Sequence, residues 1–552
     1  MIRNRSSLGA AFILFLFCIS FSFASEPVLP ASIASAVPVK NVIIMIPDGM
    51  SVAGSTITRW YNGGEKLLAF DALAAGMVRS YSSDAIISDS APAATAYACG
   101  VKAQTGNIGV MPNVSTLPGG PLLDGINNYT PVANIMEAAR AKGLATGIVS
   151  TSEITHATPA DFGAHDISRK KEDNIGEQML FAGFDVLLGG GTDFFFTKRA
   201  DKEDLTAIAK TRGYSYVEST ADMKADKGKK LLGLFAPVGM SYDIDRDTAK
   251  EPSLEEMTVK ALSIVSSNAK GFVLMVEGSE VDWAAHANDP VGVVSDINAF
   301  DKAVTAALDF AKKDKNTVII ILTDHGNSGI NIGNSDSNGD YDKLPLKTLV
   351  DTLRKAKHTA QGTLALVSSD NSNIKEIVAA NYGLDLADKD VEILKASLDA
   401  KKSSDAIVFL GTLMAKASRI GFTTTGHTGE DVPLYVYNPK TSAAFGLIQN
   451  TDIARYLEKL TGTDLAAVTK GQFQEASAAF VKKGASVSTD LSNPANPVLV
   501  VKKGEVHLTF PQNKSVALVG AKEVQLRGVT VFTGAGGSER WFVGQDALDL
   551  IK

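Results

Sequence analysis

Val42-Ile43-Ile44-Met45-Ile46-Pro47-Asp48-Gly49 decides how the rest of the chain is read. An unbroken apolar run has no polar alternation, so a strand made from it is buried on both faces. An acidic residue in a sharp Pro-Asp-Gly turn follows at once. The pattern recurs along the chain. Residues 145–149 lead into Ser150-Thr151-Ser152-Glu153, and Val186-Leu187-Leu188 into Gly189-Gly190-Gly191. Phe272-Val273-Leu274-Met275-Val276 leads into Glu277, and residues 318–322 into Thr323-Asp324-His325. Between them lie patterns of helical period, as over 132–142 and 294–312. Doubly buried strands alternating with helices predict an α/β protein. The expected form is a three-layer sandwich, a central and mostly parallel sheet flanked by helices. Sites in such sheets form at the carboxyl ends of the strands. Asp48, Glu277, Asp324 and His325 should therefore meet at one edge.

The chain has 552 residues, 45% of them hydrophobic, which is ample for one large domain with additions. A net charge of −7 with no basic patch gives no footprint for nucleic acid. Arg3 and Arg5, the largely apolar run 10–23 and Ser22-Phe23-Ala24 read as a secretory signal over 1–24. A retained anchor is the alternative, although the run is short for a full span. Residues 25–40 read as a linker. Cys18 leaves with the signal, so Cys99 has no partner for an intramolecular disulfide. An exported protein so built relies on core packing and bound metals. Over residues 328–420 the periodicity weakens, and the segment reads as an insertion carried on the sheet. Asn334-x-Asp336-x-Asn338-Gly339 opens like a calcium loop, but Pro345 stands where the closing Glu belongs, so it reads as a turn. From 493 to 552, Val498-Leu499-Val500-Val501, Val506-His507-Leu508-Thr509-Phe510 and later runs predict a small β-rich appendage.

Ser88-Asp89-Ser90-Ala91-Pro92 places Ser90 at the N-cap of an alanine-rich helix. There the free N–H groups and the positive dipole end favour an anion. An ordinary capping serine is the bland alternative. Among seven histidines, His286 stands four residues after Asp282, on one helix face, where the two can chelate zinc. Asp324-His325 adds a pair at a strand end, and His427 lies in a glycine-flanked turn. A sheet edge so crowded with carboxylates repels itself unless cations are present.

Taken in order, these motifs resemble those of the alkaline phosphatases, phosphomonoesterases of α/β fold that use two zinc ions and a magnesium ion. The resemblance covers about 41–460, within a catalytic domain over 41–490. It rests on Pro47-Asp48-Gly49-Met50, Asp89-Ser90-Ala91, Ala157-Thr158-Pro159-Ala160, Ser168-Arg169, Glu277 through His286, Thr323-Asp324-His325 and Gly426-His427-Thr428. It implies that Asp282, His286 and His427 hold the first zinc. Asp48, Asp324 and His325 would hold the second, beside the nucleophile Ser90. Asp48, Thr158 and Glu277 would hold magnesium, and Arg169 would clamp the phosphoryl oxygens. His156 and Trp283 stand beside the third ion, where some members carry Asp and Lys, so that ion's identity is the least determined. The insertion resembles the crown near the dimer interface of larger members, which implies a homodimer. The implied protein is a periplasmic or extracellular enzyme. It takes small phosphomonoesters through a phosphoserine intermediate and is inhibited by its product, inorganic phosphate.

Two rivals have other signatures. Diesterases of similar fold carry a Thr nucleophile and lack the third-metal carboxylate, and sulfatases need an Arg two residues after a Cys/Ser-x-Pro core. Neither fits Ser90-Ala91-Pro92-Ala93-Ala94 with Glu277. A non-catalytic metal-binding surface protein would tolerate gaps among the ligands, and every expected position is filled.

Overall fold

The computed structural model describes residues 29–441, 443–534 and 539–551. The expected signal over 1–24 lies outside the described residues. Among the described residues, ten strands form the central sheet: β1 Asn41–Pro47, β2 Ala74–Arg79, β3 Ala145–Glu153, β4 Val186–Gly190, β5 Ser215–Val217, β6 Leu231–Leu234, β7 Phe272–Gly278, β8 Thr317–Leu322, β9 Val432–Tyr437 and β10 Gly446–Gln449. Their spatial order is β10-β2-β9-β8-β1-β7-β3-β4-β6-β5. Every neighbouring pair is parallel except those of β9, which runs against both β8 and β2. The sheet is thus mixed and mostly parallel, as the doubly apolar strands require.

Alternate residues of each strand feed two separate cores. Ile43, Met45, Leu274, Val276, Ile319 and Ile321 face the helices Val52–Tyr61, Leu254–Val265 and Pro290–Asp314. Val42, Ile44, Ile46, Val273, Met275 and Ile320 face the helices Ser90–Cys99, Ile135–Ala141, Glu172–Ala182 and Thr451–Thr461. This is the three-layer arrangement. Register then fixes the site edge: Ile46 pairs with Glu277, and Glu277 with Ser150. Asp48 and Asp324 lie just past the ends of β1 and β8, and the Gly49 N–H donates to Asp324 Oδ1 at 3.1 Å. Gly49 has φ +64°, and a Cβ there would fall 2.4 Å from Asp282 Oδ1. Only glycine therefore lets the turn approach that carboxylate.

Residues 346–417 form five helices on the first face of the sheet, running from Leu346–Leu353 to Ser403–Ala417. Beyond the last large helix, five antiparallel strands from Ser486–Asp490 to Lys522–Gln525 form a meander. A second, three-stranded sheet joins Gln474–Glu475 to Val531–Phe532 and Trp541–Val543. Together they enclose their own core around Phe480, Leu499, Leu508, Phe510 and Trp541. The β-rich part therefore includes pairings that begin ahead of 493. Among the described residues, no helix is long and apolar enough to cross a membrane.

Candidate active site and metal centre

Ser90 is the first residue of the Ser90–Cys99 helix, and Asp89, in extended conformation, is its N-cap. The sequence reading places Ser90 one position earlier. The shift arises because Asp89, not Ser90, keeps non-helical torsions. Ser90 Oγ lies 3.1 Å from His325 Nε2. His325 Nδ1 is 3.2 Å from the Gly326 carbonyl, so in the neutral ring Nδ1 carries the proton and Nε2 offers its lone pair. That nitrogen is also 3.1 Å from Asp324 Oδ2 and 3.6 Å from Asp48 Oδ1. Burial alone would lower the His325 pKa, but the Asp324 carboxylate outweighs it and raises it to about 9.

The same device recurs at the second pair of imidazoles. His427 Nδ1 is 2.8 Å from the Ser88 carbonyl, and His286 Nδ1 is bonded to the Thr425 carbonyl. Each Nδ1–H is used on backbone, so each Nε2 is left as a lone pair. These two nitrogens face one another at 3.1 Å. Asp282 Oδ2 is 3.2 Å from His286 Nε2, and Asn327 Nδ2 fixes Asp282 Oδ1 at 2.6 Å. Two lone pairs and a carboxylate, oriented from behind by carbonyls and an amide, form a donor set suited to zinc. Burial would raise the Asp282 pKa, and the imidazoles of His286, His325 and His427 outweigh it and hold the carboxyl below its usual range.

Glu277 accepts from Ser150 Oγ at 2.6 Å through Oε2, while its Oε1 is buried without a donor. Thr158 Oγ1 is 3.4 Å from Asp48 Oδ2, and Asp48 Oδ1 also lacks a donor. Burial, then the charges of Asp324, Asp282 and Glu277, drive the Asp48 pKa well up. Burial, with Asp324 next to it, pushes Glu277 to about 7. Buried oxygens that repel one another and find no donor make this a candidate cation site.

Three groups bring ligand atoms within 4.8 Å of one another: Asp282 with His325 and His427, Asp48 with Asp324 and His325, and Asp48 with His156 and Glu277. These groups differ from the expected sets in three details: His286 is in none of them, although its Nε2 lies 3.1 Å from that of His427 and 3.2 Å from Asp282 Oδ2. His325 stands between the first two groups, its ring stacked on His427 with centroids 3.6 Å apart. His156 reaches the third group directly. Burial, then the Arg169 charge, lowers the His156 pKa to about 3, so its ring is neutral. Trp283 meets that ring edge-on at 5.9 Å.

Arg169 is held at both ends of its fork. Nη1 pairs with Asp89 Oδ1, and Nη2 donates to His156 Nε2 at 2.7 Å. The sequence reading quotes Asp89 beside Ser90 without a role and does not name Asn327, two residues after His325. His165 and His358 stand apart from these groups, His165 paired with Glu137 at 3.2 Å and His358 with Asp245 at 2.9 Å.

Residues 39–463 match the sequence model of the alkaline phosphatase family. Alkaline phosphatase 4 of Bacillus subtilis is 39% identical over 442 residues, which cover 77% of this chain and 89% of that one. Among solved structures, Thermus thermophilus alkaline phosphatase superposes with a TM-score of 0.69 at 28% identity, over 77% of this chain and 92% of its own. A variant of the Antarctic bacterial TAB5 alkaline phosphatase, with Mg bound in its M3 site, gives a TM-score of 0.55 at 27% identity, over 78% and 99% of the two chains.

Proposed function

We propose a mechanism from the premise that this chain belongs to the alkaline phosphatase family and is a phosphomonoester hydrolase: Ser90 carries the phosphoryl group between the substrate alcohol and water. The observation that carries this reading is the Ser90 hydroxyl, 3.1 Å from an imidazole nitrogen shared with Asp48 and Asp324. Ser90 Oγ attacks phosphorus in line, the ester P–O bond breaks, and the alcohol departs on the opposite side. Water then attacks the phosphoserine, releases inorganic phosphate and restores the serine hydroxyl. The Arg169 fork binds two phosphoryl oxygens, and its anchors on Asp89 and His156 orient it before substrate arrives. The Ser90–Cys99 helix adds first-turn N–H groups and its positive end.

The donor sets fit resident cations. Asp282, His286 and His427 would hold one zinc, and Asp48, Asp324 and His325 a second. The oxygens of Asp48, Thr158 and Glu277 would hold a harder ion, magnesium, with His156 at its margin. Such ions lower the pKa of coordinated hydroxyls and neutralise phosphoryl and leaving oxygens. Little beyond the phosphate is gripped, so leaving groups can vary, and product phosphate competes for the same clamp. We also assign export on residues 1–24, a catalytic domain over 41–490 with the 328–420 insertion, and a homodimer through that insertion.

The test is metal analysis of the purified protein beside its rates on p-nitrophenyl phosphate and the bis-ester. Two zinc per chain and a strong preference for the monoester are expected. A faster rate on the diester would overturn the assignment.

A further inference from the structure

The family match stops at residue 463, and the C-terminal sheets lie beyond it. They dock on the Glu172–Ala182 helix, which follows the Arg169 loop. Lys514 Nζ lies 2.8 Å from Glu203 Oε1 and 3.2 Å from Glu177 Oε1, and Ser515 Oγ donates to the Phe181 carbonyl at 2.8 Å. The centre of this joint is Asn513, in the turn between Val506–Pro511 and Val516–Val519. It is buried, with φ +63°, a left-handed conformation that asparagine tolerates better than most side chains. Both ends of its amide are used: Nδ2 donates to Glu177 Oε2 at 3.0 Å, and Oδ1 accepts from Gln178 Nε2 at 3.1 Å.

Gln178 passes the contact on. Its Nε2 also donates to the His165 carbonyl at 2.9 Å, and its Oε1 accepts from the His165 N–H at 2.9 Å. His165 opens the run His165-Asp166-Ile167-Ser168-Arg169. On its other side this run is tied to the catalytic chain: Asp166 bridges Ile108, and the Arg169 N–H donates to the Gly106 carbonyl at 2.8 Å. The strip carrying the guanidinium is therefore gripped between two supports. One is residues 106–109 with Glu137, which hold the backbone and the His165 ring, and the other is Gln178 with Asn513 behind it.

We propose that Asn513 is a positioning residue, through which the C-terminal sheets set the register of the 165–169 strip and so the place of the Arg169 fork. The proposal rests on the reading of Arg169 as the phosphate clamp. A planar fork tolerates only about 0.5 Å and 10–20° of error, so loosening one support weakens phosphate binding more than it slows chemistry.

The test uses the full-length, metal-loaded enzyme with inorganic phosphate as inhibitor. Asn513→Gly keeps the positive φ accessible and deletes only the amide. The expected result is a rise of about three- to tenfold in both the phosphate Ki and KM, with kcat within about twofold and metal content unchanged. In an Arg169→Ala background the same substitution should change the Ki no further, because its route to phosphate is already cut. An unaltered Ki, even with a lowered melting temperature, marks a merely structural joint and overturns the proposal, as do additive effects in the double variant. Should Asn513→Gly fail to fold, Gln178→Met carries the same measurements and is judged in the same way. If Arg169→Ala alone leaves phosphate affinity intact, the clamp reading falls and takes the proposal with it. A weakened Arg169→Ala beside an unaffected Asn513→Gly sinks the proposal alone.

Discussion

The carboxyl edge of the central sheet and the joint with the C-terminal sheets both bury polar side chains brought from distant parts of the sequence, and they treat them in opposite ways. At the edge, Asp48 Oδ1 and Glu277 Oε1 have no donor, and two imidazole lone pairs face each other at 3.1 Å. At the joint, Asn513 spends both ends of its amide and Lys514 meets two carboxylates. An unmet buried acceptor costs about 1–3 kcal/mol. The edge is thus assembled against its own electrostatics, whereas at the joint the Glu177 oxygen that lacks a hydrogen-bond donor, Oε1, has the Lys514 ammonium 3.2 Å away. Function is concentrated where the fold leaves demands unmet.

The largest effects should separate the two regions cleanly. Ser90→Ala should lower kcat by at least about a thousandfold and abolish acid-stable phosphate on the protein. Metal content and the protection of the C-terminal strands should stay as in the wild type. Equal phosphate labelling of wild type and variant would refute the nucleophile. Chelation should come next, because it acts on the edge without touching the joint. It should remove activity and about 3–4 kcal/mol of stability for each ion removed if the ions are held at about 100–1,000 times their Kd. Hydrogen exchange would locate the loss at β1, β7 and β8. An equal loss across Val498–Lys503 and Val506–Pro511 would break the comparison.

The same contrast explains what the sequence made legible. The strands declare themselves because both faces are apolar, and Asp48, Glu277, Asp324 and His325 follow because parallel register brings strand ends level. The Asp282 and His286 pair is visible as helix spacing. Which imidazole joins which group of ligand atoms is set by side-chain reach, so the place of His325 between two groups and the direct approach of His156 needed coordinates. The N-cap assignment slipped by one residue for a similar reason, because Ser and Asp both suit that position. Asn513 was illegible altogether. Its meaning depends on which two surfaces meet, and residues 335 positions apart leave no period to read. The pairing of Gln474 with Val543 is hidden in the same way.

A third prediction probes the C-terminal sheets as a unit with its own core. Phe510 is fully buried there, its ring 5.6 Å from that of Phe480. Phe510→Ala should cost about 3–5 kcal/mol, comparable to the whole stability of a small unit. Limited proteolysis should then cut within the C-terminal strands while residues 41–460 stay intact. Cleavage that begins in the central sheet would show that the two cores unfold together.

The smallest effect lies at the joint and is a matter of pH. Burial raises the Glu177 pKa to about 7, with the Lys514 charge opposing. A carboxyl whose folded pKa lies above its unfolded value favours folding in its protonated form. Its contribution is therefore full below about pH 4.5 and is lost as the pH rises through about 7. Glu177→Gln cannot ionise and still offers an acceptor to the Asn513 amide. Relative to wild type, the variant should gain about 1–3 kcal/mol between about pH 4.5 and 7.5 and nothing further above that range. Denaturant titrations of both proteins across that range measure the difference directly. A gap that stays constant with pH would mean that Lys514 already holds Glu177 ionised, making the joint an ion pair at every pH and sharpening its contrast with the site edge.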